Sequence, residues 1–345
     1  MSQDILSDVL RSVRLRGVLY FHVSGSRDWV AEAPPSREIA AAVMPDSEHV
    51  MEYHVVNSGT CWGAVVGEAP VRLETGDIVL FPHGDPHVIS SEPGMRAPSH
   101  AAGYFERQQE RVPFILHLDA REVRTRATPD EPCDTTLVCG FLGCDLRPFN
   151  PLVAALPRLM HLRANHGQEW IAQFMRQAAV ESRNRRPGGD AMLERLSEMM
   201  FIVAVRRYVD TLPADSRGWL AGLRDHFVGR ALTLMHGAPA AAWTVDELGR
   251  RIGLSRSALH ERFADVIGQA PMQYLANWRM QVGAALLRDT TATVASIAQE
   301  VGYESEAAFA RAFKRLVGKP PALWRRQTKH VKESVRVPER PAQEA

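Results

Sequence analysis

A pattern that occurs twice in the last third of this 345-residue chain constrains its fold more than any other feature. Thr244-Val245, Leu248, Ile252 and Gly253 recur as Thr293-Val294, Ile297, Val301 and Gly302. Ser255, Leu259, Phe263, Gly268 and Pro271 then recur as Ser305, Phe309, Phe313, Gly318 and Pro321. In each copy a short helix stops at a glycine, and a second helix opens on a serine able to cap it. On the second helix of the later copy, Phe309, Phe313 and Leu316 recur at three- and four-residue spacing and are expected to face a core. The register slips by one residue at the turn, GLS against GYES, where a helix-turn-helix can absorb it. Two copies are too few for a solenoid, which needs at least three units. The pattern therefore predicts two helix-turn-helix units in tandem.

Once the apolar positions are turned inward, the outward residues follow. In the first unit these are Arg256, Ser257, His260, Glu261 and Arg262; in the second, Glu306, Ala307, Ala310, Arg311 and Lys314. A helix pair with a basic outward helix is what reading a DNA major groove requires. Between the units, Pro271 to Arg288 predicts a linking helix with Tyr274, Leu275, Trp278, Val282, Ala285 and Leu286 as its apolar stripe. At 1.5 Å per residue it spans about 27 Å. That approaches the roughly 34 Å between successive major-groove faces of B-DNA, so one subunit could reach two adjacent grooves.

The run I-A-x-x-x-G-Y-x-S-x-x-x-F-x-R-x-F-K-x-x-x-G-x-x-P-x-x-[YW]-R, present from Ile297 to Arg325, resembles the signature of the AraC/XylS transcriptional regulators. Trp324 stands where tyrosine is more usual. The resemblance covers Trp219 to Gln327, about a third of the chain. It implies a sequence-specific, effector-responsive bacterial regulator, usually an activator, that binds double-stranded DNA, works with RNA polymerase and dimerises.

Charge is distributed accordingly. Arg217–Lys329 carries 16 Lys and Arg against 9 Asp and Glu, whereas residues 1–216 carry 22 against 28, beneath a whole-chain balance of +1. The basic C-terminal part suits phosphate contact, with affinity that falls as salt rises. The acidic N-terminal part is not expected to touch DNA. No stretch reaches the roughly 18 apolar residues of a membrane span. The opening MSQDILSDVLRSVRLRG is charged and amphipathic, without a signal-peptide core. A cytoplasmic location is expected.

The first hundred residues have a different texture. Val50–Val56, Cys61–Val66, Val71–Leu73, Ile78–Phe81 and Val88–Ser90 are short and β-rich, with turn signals between them. Such spacing suggests a small barrel or sandwich. Gly76-Asp77, Pro82, Gly84 and His87 resemble the second motif of the cupin barrels, with Ser91 in place of its last asparagine. Glu52 and Gly59 stand at the E-x6-G spacing of the first motif, but its paired histidines are absent, Asp46 and Glu48 being nearest in position. The resemblance, to the cupin-type sensor at the front of many such regulators, continues to about residue 212 and implies an effector pocket.

On one strand Glu52 and His54 alternate to the same face, and the second motif brings His87 near them. These three are the candidate effector anchors. They are also three candidate ligands for a zinc, nickel or ferrous ion, though metal catalysis usually needs three or four convergent ligands and an open position. The missing pair of histidines argues against a metal; no cofactor is called for, and nothing in the sequence supports turnover. Two alternatives stay open: a metal-dependent cupin enzyme fused to a DNA-binding module, and a thiol-based redox regulator. The second rests on Cys133, Cys139 and Cys144, which are clustered without a C-x-x-C motif. Cys133, in a polar segment, is the most exposed candidate, and Cys61 reads as buried filler beside Trp62.

From Asn150 to Leu212 the pattern turns helical. Leu152, Val153, Leu156 and Leu159 form one stripe; Trp170, Phe174 and Ala178 another; Leu193, Leu196, Met199, Met200, Val203 and Tyr208 a third. The third segment is apolar around more than one face, as suits either a core helix or a subunit interface. Trp219–His236 supplies the opening helix of the DNA-binding domain. The expected architecture is α+β and multidomain. Residues 1–212 make a cupin-like sensing and dimerising domain with flanking helices, 213–330 an all-α tandem helix-turn-helix domain, and 331–345 a disordered tail.

Overall fold

The computed structural model describes residues 4–97, 114–119, 122–125, 133–164, 177–178, 180–181 and 186–334. They form two compact units. One comprises Val13–Leu146 and Leu152–Pro213 and is β-rich; the other gathers Ala214 onward together with Met1–Ser12 and Arg147–Pro151, and is helical. Chain order alone does not place the two short N-terminal-half segments with the helical unit.

The β-rich unit holds two sheets. The larger has seven strands: β1 (Arg16–Ser26), β3 (His49–Ser58), β6 (Ile78–Phe81), β8 (Phe114–Asp119), β9 (Glu122–Thr125), β10 (Thr135–Cys144) and β11 (Met160–Leu162), in the spatial order β11-β6-β3-β10-β1-β8-β9. The smaller runs β2-β7-β4-β5, from Val30–Ala33, His87–Ser90, Thr60–Val65 and Val71–Glu74. The core is apolar and draws on both sheets, including Phe21, Val50, Val56, Cys61, Val65, Leu73, Val79, Phe81, Ile89, Leu137, Cys139 and Phe141. Around β3 the register explains this: Glu52 pairs with Phe81 and Phe141, and His54 with Val79 and Cys139, so cross-strand partners share a face.

Helix α1 (Ile5–Ser12) precedes β1, and α2 (Ser36–Val43) lies between β2 and β3. The stripe expected over Leu152–Leu159 is only in part helical. A single turn, α3 (Pro151–Ala154), is followed by strand β11, which pairs with β6 through Met160 and Leu80. A three-residue edge strand is too short to show alternation, so the sequence pattern misses it. Trp170 and Phe174 lie outside the described residues.

The third stripe is a single helix, α4 (Gly189–Thr211). Its buried face carries Leu193, Leu196, Ser197, Met200, Phe201, Ala204 and Val205. Gly17 of β1 lets it approach: a Cβ there would stand 2.4 Å from Ser197 Cβ. Tyr53, fully buried, reaches Ser197 Oγ at 2.7 Å. Met192 and Met199 remain exposed on the same helix, so Met199 does not join the core as the stripe suggested. The helix therefore has a covered face and a second, partly apolar one.

In the helical unit the expected opening helix is two: α5 (Trp219–Arg224) and α6 (His226–Gly237). Asp225 breaks them apart because its carboxylate accepts hydrogen bonds from the amides of Phe227 and Val228 and caps the second. The repeats follow as α7 (Val245–Ile252) with α8 (Arg256–Ile267), and α10 (Val294–Glu300) with α11 (Glu306–Val317). Their capping is duplicated: Thr244, Ser255, Thr293 and Ser305 each accept from an amide three residues on. Gly302 takes a left-handed φ of 83° and sits so close to Ala240 that a side chain there would strike backbone.

The linking helix, α9 (Pro271–Asp289), serves both hairpins. Tyr274 packs edge-on to Phe263 of the first, and its hydroxyl meets Trp219 Nε1 and His236 Nε2, each at 2.8 Å. Further along, Met280, Ala284 and Leu287 join Ile297, Phe309, Phe313 and Trp324 of the second. Burial on more than one face explains why Val282, Ala285 and Leu286 are only half-buried, although the single-stripe reading placed them inward. Leu316 is a second correction. It is 39% exposed, and Val317 takes its place. The buried face centres on Phe313, with Phe309 and Val317 one turn to either side, which leaves Leu316 at the rim. Helix α12 (Pro321–Ser334) continues through residues 331–334, expected to begin the tail; the rest of the tail lies outside the described residues.

Candidate functional site

The residues expected to read DNA fall on α8 and α11, both of which expose their N-terminal halves. Arg256, Ser257, His260, Glu261 and Arg262 are all exposed on α8; Glu306, Ala307, Arg311 and Lys314 are exposed on α11 and Ala310 is half-buried. Leu259 and Phe263, and Phe309 and Phe313, are buried beneath them. The basic groups are not equivalent. Arg262 is held by Asp225, with Nη2 at 2.7 Å from Oδ2, and its guanidinium also lies over the Phe227 ring. Arg256 stands only loosely against Asp246, at 3.5 Å with both side chains well exposed. Such a contact contributes little in water and gives way to a stronger anion. Arg279 and Arg325 are committed internally, donating to the carbonyls of Pro239 and Ala241, and of Leu287 and Ala292. Arg256, Arg311 and Lys314 stay exposed on their helices.

The second group lies inside the β-rich unit. Glu52 and His54 project from β3 in the larger sheet and His87 from β7 in the smaller, so the two sheets bring them together. The candidate donor atoms of all three fall within 4.8 Å of one another. His54 Nε2 is 2.8 Å from His87 Nε2, and Glu52 Oε2 is 3.4 Å from His87 Nε2. All three side chains are buried. Phe81 stacks on the His87 ring at 3.8 Å and meets His54 edge-on.

Burial in this apolar setting sets their charge. Desolvation pushes the Glu52 carboxyl up to about 8, against a hydrogen bond from Ser36 that favours the anion. Burial holds His54 well below the ordinary histidine range, helped by His87. It lowers His87 to about 4, opposed by the Asp85 carbonyl. At neutral pH the triad is therefore uncharged, and the 3.4 Å Glu52–His87 contact is no ion pair.

Three supporting residues escape a sequence reading. Ser36 Oγ donates to Glu52 Oε1 at 3.2 Å. The Asp85 carbonyl accepts from His87 Nδ1 at 3.0 Å, and Arg158 grips both oxygens of the Asp85 side chain from 73 residues away. Only the Asp85 position, two before the motif histidine, carried a local signal. Gly84, at φ 66°, lets this loop pass against Val50 and Ser36. Asp77 of the same motif accepts from His161 Nε2 at 2.8 Å and from the Ala164 amide at 2.7 Å, and so organises the fold away from the triad.

Among the thiols, Cys61, Cys139 and Cys144 are buried and Cys133 is exposed. Burial pushes Cys61 up to about 12 and Cys139 well above the usual thiol range. A thiol held protonated is a poor nucleophile, so Cys139 does not suit an oxidant sensor.

The chain matches the cupin family over residues 4–210 and the helix-turn-helix domain family over residues 248–327. It is 31% identical over 325 residues to a protein of Streptomyces lividans described as an AraC-like transcription regulator, covering 94% of this chain and 98% of that one. A Streptomyces antibioticus protein of the same description is 30% identical over the same shares. The HTH-type transcriptional regulator AlkR of Acinetobacter baylyi is 26% identical, covering 94% of this chain and all of its own. A cupin domain and a tandem helix-turn-helix domain define a two-domain transcriptional regulator. The chain belongs to the AraC-like transcription regulators. Among its described residues no helix is long and apolar enough to cross a membrane.

Proposed function

We propose that this regulator reads a specific DNA site with α8 and α11, and that a small effector bound at Glu52, His54 and His87 sets its occupancy. The observation that carries the effector half is three buried polar side chains converging inside an otherwise apolar core. A few convergent polar groups in an apolar setting are the usual form of a ligand site. A ligand there alters DNA occupancy only by favouring one conformational state of the protein over another. The proposed output is activation through RNA polymerase in the cytoplasm, with no catalytic turnover.

One set of variants tests both halves. Arg256→Ala and Arg311→Ala should each relax sequence preference at one half-site, because an arginine bidentate to guanine contributes roughly 1–3 kcal/mol of discrimination. Equal weakening on all sequences, with a shallower salt dependence, would show phosphate contact instead. His54→Ala and His87→Ala should keep the fold and operator binding but lose induction in a reporter. Normal induction in a merely destabilised His87→Ala protein refutes the effector site.

Dimerisation is proposed through α4. Its covered face already packs on β1, yet Met192 and Met199 stay exposed. Methionines recur at adaptable binding surfaces. Sedimentation equilibrium of the full chain checks this, a monomer at micromolar concentration refuting it.

A further inference from the structure

Resting on the proposed role of α8 as a recognition helix, we infer that Asp225 and Arg262 are the positioning pair that aims it. They hold α8 at the angle from which its exposed face reads DNA, and Arg262 is not itself a DNA contact.

The grip is directional. Arg262 Nε lies 3.1 and 3.0 Å from the two carboxylate oxygens of Asp225, and Nη2 lies 2.7 Å from Oδ2. A planar guanidinium engaged through two nitrogens is fixed in orientation as well as in distance. It also lies over the Phe227 ring, its central carbon 5.4 Å from the ring centroid. Asp225 is anchored in turn. The same carboxylate caps α6 through the Phe227 and Val228 amides, at 3.0 and 2.9 Å. Burial alone would raise its pKa, but Arg262 and the two amides hold it below the ordinary range, so it stays an anion at neutral pH. One carboxylate thus joins the start of α6 to the middle of α8.

The position of Arg262 on the helix gives the pair its role. Leu259 and Phe263 are buried one turn apart on α8, and two contacts on one line leave a helix free to rock about that line. Arg262 lies about 100° round the axis from Phe263, at the rim, where a tether stops the rocking. Two other contacts tie α8 to the segment before α6. The Gly218 amide donates to the Val266 carbonyl at 2.7 Å, and Arg217 pairs with Asp265 at 2.7 Å. Both lie nearer the C-terminal end of α8. Of the three, Asp225–Arg262 stands nearest in sequence to Arg256, Ser257, His260 and Glu261. The second unit cannot use the same device. Phe263 matches Phe313 in the repeat, so Arg262 matches Ala312, which carries no charge.

A DNA-contacting Arg262 and an aiming Arg262 differ in what Asp225 does. In the first case Asp225 competes with DNA, and its removal leaves recognition intact or improved. In the second, losing either partner has the same effect. The test uses the full-length chain and the duplex it selects from a random-sequence pool, with single-base-pair variants of that duplex. The half-site relaxed by Arg256→Ala defines that of α8. Asp225→Ser keeps a capping oxygen for α6 but is too short to grip Arg262. Asp225→Ser and Arg262→Ala should each lower discrimination at the α8 half-site by about fivefold or more, the low end for one lost base contact. Discrimination at the other half-site should hold, which a general loss of stability would not produce. The double variant should be no worse than either single one. In Arg262→Ala the slope of log affinity against log salt should not change, whereas a lost phosphate contact lowers it by about 0.9.

Discrimination kept in Asp225→Ser but lost in Arg262→Ala overturns the inference. So does a shallower salt slope in Arg262→Ala, or equal loss at both half-sites. If Arg256→Ala relaxes a half-site and neither tether variant does, the positioning role falls and the reading of α8 stands. If discrimination survives in all three, both fall.

Discussion

Phe313→Ala should destabilise the helical unit by about 3–5 kcal/mol, the usual cost of emptying a buried phenylalanine site. Phe313 is completely buried, lies 5.5 Å from the Phe309 ring and 6.0 Å from Trp324, and touches the linking helix's half of the same core. Alanine's better helix propensity returns at most about 0.7 kcal/mol. Collapse into the space is limited, because the neighbouring rings are themselves fixed by α9 and α12. Leu316→Ala is the matched control. Its side chain is 39% exposed, so its removal should change stability by no more than about 0.5 kcal/mol. Denaturant unfolding of the two variants decides between the faces. Equal losses would restore Leu316 to the core and refute the packing described for α11. Footprinting adds a second reading: on the proposed mode of DNA binding, Phe313→Ala should first lose protection of the half-site assigned to α11.

The contrast between Phe313 and Leu316 shows where sequence reading ends. The duplicated turn chemistry of the helix-turn-helix units was legible because it is local: caps, glycines and aromatic spacing lie within one turn of one another. The strands from β3 to β7 were legible for the same reason, each bounded by Gly, Pro or Asp. Strand β10 was not. Its residues from Leu137 to Cys144 are buried without interruption, so no alternation marks it, and it reads as a cysteine cluster. The β1 stretch RGVLYFHVSGS was likewise not read as a strand; only its first two residues fell within the charged, amphipathic opening segment. At the candidate site, Glu52 and His54 were legible from alternation and His87 from its motif. Their meeting was not, because it depends on two sheets facing each other, and Arg158 reaches the His87 loop across 73 residues. The two methionines left outward on α4 were hidden by an apolar pattern that does not say which face is covered.

Gly17→Val should cost more than about 3 kcal/mol, the upper end for overpacking, because the added atoms meet stiff neighbours. A Cβ at Gly17 would lie 2.4 Å from Ser197 Cβ, 3.0 Å from the Glu194 carbonyl oxygen and 3.1 Å from the Glu198 amide nitrogen. None of these is the far end of a flexible side chain. Gly17 is paired with Leu142 of β10 near the start of β1, so the strand cannot retreat there without breaking that ladder. The helix must lift instead, which separates Tyr53 from Ser197 and exposes part of the face bearing Met200, Phe201 and Val205. The cause is space rather than backbone conformation, and a double-variant cycle can show it. Gly17→Ala introduces only the Cβ, and Ser197→Gly removes the atom it strikes. Ser197→Gly alone should cost about 1 kcal/mol for a glycine in a helix interior, plus about 1 kcal/mol for the lost Tyr53 hydrogen bond. The two together should destabilise by less than the sum of the singles, since the closest clash disappears. Strictly additive losses would mean that Gly17 is required for something other than the approach of α4, and the packing argument would fall.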